Sequence, residues 1–433
     1  MKKQYLILGL FLASFQFASA QFTLEGEFRP RTELFNNGFN YKYQPKGGNT
    51  SGREGTTAFI GTSVRAALNS TYTTDSYKLY LGIQEVFNFG DRQQISASGN
   101  ANFRVQEAWA EIKLADTWSF KIGRQPLSYD DQRILGGLAW AQQARTHDVG
   151  VFKHKSKSGF AFDAGYSLNT NGDNVFGNSA LFTYRELAFI HANKKMGKLS
   201  LSGLLMNTTF QDDQTLNNNA GTPTVAGDDF NSWGETKSNL LTAGIHAKLN
   251  LGTLGLAGNF YIQSGDRIGE TEVKGASLFS LDATYKANTK IILLAGFESI
   301  SGTTDDSAAF FPLYGTNHKF NGLMDRFYVE NHAIGSGLID LNIGAKFKLP
   351  NGYNLTAKFH NFKEESRNKN SLGNEIDLVV AKTFKGFKLV AGYSQFFESD
   401  DFPNPAGNPV ANDTQNWAWA MLIIKPKFLS GTK

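Results

Sequence analysis

The sequence predicts an all-β protein, a transmembrane antiparallel β-barrel of eighteen strands with no plug domain. Apolar and polar residues alternate with a period of two along most of the chain. Short and long connections alternate between these segments along the chain. Hydrophobic residues make up 41% and aromatic residues 13% of the chain, yet the mean hydropathy is only -0.32. A barrel explains this mixture, because only every second strand residue must face lipid while the lumen stays polar.

Residues 1–20 have the pattern of a secretory signal peptide. A positively charged start precedes an apolar stretch, and Ala18-Ser19-Ala20 has the small residues that signal peptidase accepts. An N-terminal membrane anchor is the alternative, and the short apolar run interrupted by Gln16 disfavours it. We expect cleavage after Ala20, so that 21–433 form the barrel domain.

The net charge of the chain bears on one class of function. The formal net charge is +4, and removal of Lys2 and Lys3 leaves +2. This near-neutral balance gives no support for nucleic-acid binding. Cysteine is absent, so no disulfide forms, and no later segment has the 18 or more apolar residues that a membrane-spanning helix needs.

The first predicted strand shows the alternation clearly. Phe22, Leu24 and Phe28 share one face, while Glu25, Glu27, Arg29 and Arg31 share the other. The segments 241–249 and 339–347 alternate in the same way. A soluble sandwich or propeller would show similar single strands, so the connections must decide between these folds.

Long polar connections are predicted at nine places, with short turns between them. The long ones are approximately 32–56, 88–103, 124–147, 168–186, 208–239, 264–275, 302–337, 363–374 and 396–415. Outer-membrane barrels have long extracellular loops and short periplasmic turns. The pattern predicts this location, with both termini in the periplasm. Apolar and aromatic residues in 124–147 and 302–337 predict that these two loops fold into the lumen.

Several segments in chain order carry a resemblance to a known family. They are RPRTE at 29–33, GRQ at 123–125 with LSYDDQRILG at 127–136, FPLYGTNHKF at 311–320 with Gly322, Met324 and Asp325, LGNEID at 372–377 and AGYS at 391–394. Together they resemble the alginate-export porins. The resemblance implies a monomeric eighteen-stranded channel with an arginine-rich lumen that conducts an anionic polysaccharide.

Arginines are the candidate substrate-binding residues of the lumen. They are Arg29, Arg31, Arg65, Arg124, Arg133 and Arg145. Guanidinium groups bind carboxylates through two parallel hydrogen bonds, so a series of them could guide a polyuronate. The alternative is a structural salt network with Glu25, Glu27, Glu107 and Glu111. Both hypotheses predict that Arg29, Arg31 and Arg65 crowd one wall.

Other residue types give weaker signals. We expect Trp417 and Trp419 in the interfacial aromatic girdle rather than in the lumen. The histidines show no metal-ligand spacing, so no metal, cofactor or catalytic residue is predicted. The pairs Asp130-Asp131, Asp305-Asp306 and Asp400-Asp401 are expected on a solvated rim. The final strand departs from the usual terminal aromatic, because Pro426 interrupts it and five residues follow Phe428.

These observations predict a passive outer-membrane channel or exporter, not an enzyme, for an anionic polysaccharide such as alginate or a small anionic solute. Lipid and lipopolysaccharide would surround a monomer. The alternative is a structural or accessory barrel that scaffolds a partner and conducts little. The sequence leaves the direction of transport and the solute open.

Overall fold

The computed structural model describes residues 21–36, 59–90, 103–169, 184–213, 235–267, 271–327, 335–365, 369–400 and 414–431. Eighteen antiparallel strands each pair with the next along the chain, and the first pairs with the eighteenth to close the ring. This confirms the predicted fold class and strand number. Within the described ranges, no helix is both long and apolar enough to cross a bilayer.

The strands alternate in direction around the ring. The first nine are β1 Gln21–Asn36, β2 Phe59–Thr73, β3 Tyr77–Asn88, β4 Arg104–Ala115, β5 Trp118–Gln125, β6 His147–Lys155, β7 Phe160–Leu168, β8 Glu186–Met196 and β9 Leu199–Asp213. The others are β10 Glu235–Leu251, β11 Leu254–Arg267, β12 Thr271–Lys286, β13 Ile291–Ile300, β14 Leu338–Lys348, β15 Tyr353–Lys363, β16 Ser371–Thr383, β17 Phe387–Glu398 and β18 Thr414–Ile424.

The outward face of the strands is apolar. On β1, Phe22 and Phe28 are 41% and 44% exposed, whereas Arg29 and Arg31 are 6% and 5% exposed. Ile245 on β10 follows the same rule, since its side chain is exposed while the neighbouring His246 is buried. Successive strand residues point to opposite faces, so the barrel has an apolar outer surface and a polar, filled interior.

The connections lie on two rims. The connections 74–76, 116–117, 156–159, 197–198, 252–253, 287–290, 349–352 and 384–386 form what we call the short-turn rim. The opposite, long-loop rim includes the β5–β6 loop, 126–146, and the β13–β14 loop, 301–337. Connections thus alternate between the rims as expected.

One of the predicted long loops is much shorter than expected. The segment 264–275 is mostly strand, because β11 and β12 continue and leave only 268–270 between them. The register shifts between Gln263 and Ser264, and the next residue, Gly265, has a φ of 118° that suits glycine. A polar strand extension beyond the apolar zone has the composition of a loop, which explains the error.

The last strand is interrupted near the short-turn rim. After β18, the carbonyl of Pro426 accepts a hydrogen bond from the Gly26 amide, and a short strand β19, Lys427–Ser430, pairs with the start of β1. Proline lacks an N–H group, so it fits an irregularity rather than a continuous ladder. Phe428 and Leu429 are exposed there.

Candidate functional site

Two loops enter the lumen from the long-loop rim and meet inside the barrel. Leu135 of the β5–β6 loop and Tyr314 of the β13–β14 loop form a parallel β-bridge. The Gly136 amide donates to the Tyr314 carbonyl at 2.9 Å, and the Tyr314 amide donates to the Ile134 carbonyl at 3.1 Å. The predicted inward folding of both loops is confirmed. The interior is therefore closed by paired backbone rather than by two independent loops.

The paired loops pack against the wall of β8–β11 through an apolar core. Ile134, Leu135 and Tyr314 are at most 2% exposed, as are Phe310 and Leu313. They share one hydrophobic cluster with wall residues, namely Leu187, Phe189, Met206 and Tyr261. Burial of apolar surface is the main source of stability in such a core. On this side, the loops are fixed by packing.

On the opposite side, the arginines of β1 and β2 hold the β5–β6 loop. Arg29 lies across the strand pair from Arg65, and both are buried on the inward face with Arg31, as predicted. Arg29 donates to the Gln142 side chain at 3.0 Å and to the carbonyls of Ala139 and Ala141 at 2.8 and 2.9 Å.

The other two arginines of this wall also have protein acceptors. Arg31 donates to Glu33 and to the Trp140 carbonyl, and Arg65 donates twice to Gln84. The inward-facing Glu27 lies within 4 Å of both Arg29 and Arg65. These contacts favour the structural hypothesis for the three arginines, because Arg29 and Arg31 donate to the loop directly and Arg65 holds Gln84, which donates to the Gln143 carbonyl at 2.9 Å.

Trp140 is the point where four elements meet. Arg31 lies 3.9 Å over its ring, His318 stacks on it at 3.8 Å, and Trp417 and Trp419 contact it edge-on at 5.5 and 5.8 Å. The expected girdle position of Trp417 and Trp419 is wrong, since they are 1% and 6% exposed inside the lumen. They share the inward phase of β18, where loop residues cover them.

Arg133 joins the β5–β6 loop to the wall of β12–β13. Its guanidinium donates to Asp131 and Asp282, both at 3.0 Å, and pairs with Glu298. It also lies 3.9 Å over the ring of Phe320 from the other loop. The arginine is 3% exposed, so three carboxylates surround one buried cation. A free anion would have to compete with all three.

The remaining two candidate arginines differ in position. Arg145 lies in the β5–β6 loop and donates to the Gly315 carbonyl at 3.0 Å. Arg124 is not in the lumen: it shares the outward phase of β5 with Ile122 and pairs with Asp148 at 2.8 Å. The lumen position expected for Arg124 is wrong, because the inward residue at this end of β5 is Gln125.

Asp130 is buried in the lumen, contrary to its expected place on a solvated rim. His191 Nε2 lies 3.0 Å and Ser202 Oγ 2.5 Å from its Oδ1 atom, and Tyr261 lies 3.5 Å from Oδ2. Burial opposes ionisation, but the hydrogen bonds from His191 and Ser202 and the charge of His191 lower the pKa of Asp130 overall. Serine and histidine both bind the carboxylate, so these three groups form an anchor rather than a nucleophile paired with a base.

Asp130→Asn should loosen the β5–β6 loop, and the effect should depend on pH. The depressed pKa means that the folded state gains stability from this carboxylate above about pH 4 and loses it as the pH falls through the folded-state pKa. We expect more frequent single-channel openings in the variant than in the parent at pH 7. The difference should shrink below pH 4, and a difference that grows on acidification would contradict this role.

Carboxylates of β16 hold the β13–β14 loop. Asp377 accepts a hydrogen bond from the Leu323 amide at 3.2 Å, and Glu375 accepts one from the Met324 amide at 2.8 Å. Nearby, His360 Nδ1 lies 2.9 Å from both carboxylate oxygens of Asp340. In the described part of the chain, no group of three or more such side chains is arranged to hold a metal ion.

A ring of lysines faces the lumen near the short-turn rim, and sequence reasoning missed it. Each shares the inward phase of its strand with a buried residue, as Lys248 does with His246 and Lys346 with Asn342. What we call the lysine ring consists of Lys195, Lys248, Lys286, Lys346 and Lys388. Their cross-strand neighbours are uncharged, for example Ser200 beside Lys195 and Lys248. Assigning the inward-facing residues of every predicted strand would have shown the lysine ring.

Comparison with known proteins gives a likeness in fold. No family model and no curated protein sequence matches the chain. Acinetobacter baumannii OccAB4 superposes with a TM-score of 0.59 at 12% identity, covering 94% of this chain and 98% of that one. Pseudomonas aeruginosa OccK8 (OprE) gives 0.58 at 13%, covering 94% and 98%. Pseudomonas aeruginosa OpdK with vanillate gives 0.55 at 11%, covering 94% and 99%. The chain therefore has the fold of outer-membrane porins.

Proposed function

We propose that this chain is a passive outer-membrane channel for small organic anions, with the short-turn rim in the periplasm. The lysine ring is the observation that carries the proposal. Its five ammonium groups lie around the inner wall, and none forms an ion pair with a carboxylate of the described ranges. Fixed charges on a low-dielectric wall raise the local concentration of the opposite ion.

Near the short-turn rim, the inward carboxylates lie on β1, β4 and β7, apart from Asp282 on β12, which pairs with Arg133 at 3.0 Å. Glu107 and Glu111 lie on β4, and Glu111 is opposite both Lys78 and Lys121. Asp163 pairs with Lys153 at 3.0 Å. These acids therefore neutralise lysines of β3–β6, while the lysine ring lies on β8, β10, β12, β14 and β17. The net electrostatic potential along the strands of the lysine ring therefore favours anions.

A small solute fits the closed lumen better than a polymer. The resemblance to alginate-export porins implied a polysaccharide, but the two loops fill the middle of the barrel with a packed core. A polymer would need both loops to leave, whereas a small anion needs only local openings. The fold shared with OpdK, which has been crystallised with vanillate, supports the same choice.

The accessory-barrel hypothesis remains the rival, since a lumen closed by two anchored loops also suits a scaffold that conducts little. Reversal potentials of the purified protein in planar bilayers under a KCl gradient separate the two. We expect a current that prefers chloride over potassium, and a preference that weakens at 1 M salt because screening shortens to about 3 Å. No measurable current would favour the scaffold.

The lysine ring should determine this preference. Replacing all five lysines with glutamine should reduce the chloride-to-potassium permeability ratio at least about threefold, because local potential sets the ion ratio. Two double variants test whether the position of the charge matters. Lys248→Gln with Lys346→Gln, on the inner face, should lower the permeability ratio. Lys194→Gln with Lys382→Gln removes the same charge from the outer face and should leave the ratio unchanged. Equal effects of the two pairs would contradict the proposal.

A further inference from the structure

We propose that an apolar wall below the loop junction binds the hydrocarbon part of the transported anion, so that the preferred solutes are amphipathic carboxylates. This rests on the proposed function, since it names the solute class of the same channel. The wall is formed by the inward faces of β16, β17 and β18. Its members are Val379 and Ala381 on β16, Val390 and Gly392 on β17, and Trp419, Met421 and Ile423 on β18.

The strand register places these residues in rows. Val390 lies between Ala381 and Met421, and Gly392 lies between Val379 and Trp419. The indole of Trp419 covers Gly392 so closely that a Cβ there would lie 2.3 Å from the ring. The absence of a side chain at this glycine lets the indole lie flat on the strand. A barrel lumen is usually polar, so this continuous apolar surface is an exception.

The loops cover only part of this wall. Leu323 and Met324 of the β13–β14 loop and Trp140 of the β5–β6 loop pack on Val390, Trp419 and Met421, which are 6–9% exposed. Nearer the short-turn rim, Val379, Ala381 and Ile423 are only half-buried. The apolar surface thus continues beyond the two paired loops into the part of the lumen next to the short-turn rim. A solute that enters from that rim meets it there.

A cation lies at the open end of the wall. Lys388 is the cross-strand partner of Ile423 and Thr383, and it precedes Val390 by two residues on the same inward face. Among described residues, it has no ion-pair partner. An apolar surface that ends at an unpaired ammonium is complementary to a molecule with a hydrocarbon segment and one carboxylate.

The dimensions of the wall limit the solute. Lys388 and Gly392 are four residues apart, which is about 13 Å along a strand. Trp419 and the loops cover the Gly392 end, so the open part of this length suits an apolar segment of roughly six to eight carbon atoms whose carboxylate lies at Lys388. Acetate could reach the ammonium, but it would leave the apolar wall without contact.

Block of the chloride current by monocarboxylates of increasing length tests this assignment. Acetate, butanoate, hexanoate and octanoate would be added in turn to the short-turn side of the parent channel. We expect the half-blocking concentration to fall about two- to fourfold for each added methylene, since full burial of one corresponds to about fourfold. Hexylammonium, with the same tail and the opposite charge, should block at least about tenfold more weakly than hexanoate.

A variant pair locates the effect. Ile423→Gln makes the open part of the wall polar beside Lys388, so it should weaken octanoate block about tenfold and leave acetate block unchanged. Leu294→Gln is the matched control, because Leu294 is an inward apolar residue on β13, which β14 and β15 separate from this wall. It should not alter octanoate block.

The outcomes separate this inference from the function it rests on. Block that is independent of chain length in an anion-selective parent overturns the apolar site and leaves the channel proposal standing. A parent that does not prefer anions overturns the channel proposal itself. Equal weakening by Ile423→Gln and Leu294→Gln overturns the location of the site. The block of the parent channel by carboxylates of increasing length requires no variant. It therefore tests the apolar site even where a substitution prevents assembly of the barrel.

Discussion

Replacing residues 128–144 of the β5–β6 loop with a short glycine-serine linker is expected to raise the single-channel conductance at least about fivefold, because barrels of 16–18 strands otherwise leave an aqueous channel. The deleted segment supplies Ile134 and Leu135 to the luminal core and Trp140 to the junction with β18. It also supplies the β-bridge to Tyr314. Without it, the β13–β14 loop loses its partner inside the lumen.

Single-channel recording at fixed salt measures this change directly. A control variant replaces the short turn 156–159, which lies on the opposite rim, with another turn sequence of the same length. It should conduct as the parent does. If the loop deletion leaves the conductance unchanged, the solute path does not pass through the space that this loop occupies. An equal rise in both variants would indicate general damage to the barrel.

The barrel itself could be predicted from sequence because its signal is repeated in every strand. Phe22 and Phe28 alternate with Glu27 and Arg29, and the structure exposes the first pair and places the second inside. A slip of one residue would reverse every side chain of a strand, so a consistent pattern fixes the face. The positions of Arg29, Arg31 and Arg65 followed from this rule.

The errors arose where alternation does not determine the surroundings. Trp417 and Trp419 lie on the inward phase, and only the folded loops, which come from distant parts of the chain, make that side an aromatic environment. Arg124 was misplaced because the predicted loop began at 124, whereas β5 continues to Gln125 and turns Arg124 outward. Asp130 looked solvated because its partners His191 and Ser202 lie on strands 61 and 72 residues away.

The function of the arginines shows the same limit. Composition and phase predicted charged groups on the lumen wall, but the acceptors of Arg29 are loop carbonyls that no spacing rule connects to β1. The anchoring role and the recognition role require the same residue type on the same face. Only the position of the loops distinguishes the two roles, and the lysine ring lies outside the contacts that the loops make.

Arg133→Met is expected to have the largest effect of any single substitution in the lumen. The variant leaves Asp131, Asp282 and Glu298 together without their shared cation. Removing one partner from a buried ion pair typically costs 3–5 kcal/mol, because the remaining charge stays desolvated. Asp282 is partly exposed and can hydrate, so we expect a loss near the lower limit, about 3 kcal/mol.

The loss of stability should loosen the two loops first and leave the strands of the barrel intact. Arg133 lies in the β5–β6 loop and contacts Phe320 of the other loop. Limited proteolysis should therefore cut Arg133→Met within 126–146 at protease levels that leave the parent intact, and conductance should rise without a change in strand content. Lys113→Met is the matched control. Its ion pair with Asp116 spans 3.6 Å between side chains that are 55% and 90% exposed, and such pairs contribute little to stability. A parent-like cleavage rate for Arg133→Met would show that the apolar core around Leu135 and Tyr314 holds the loops without this arginine.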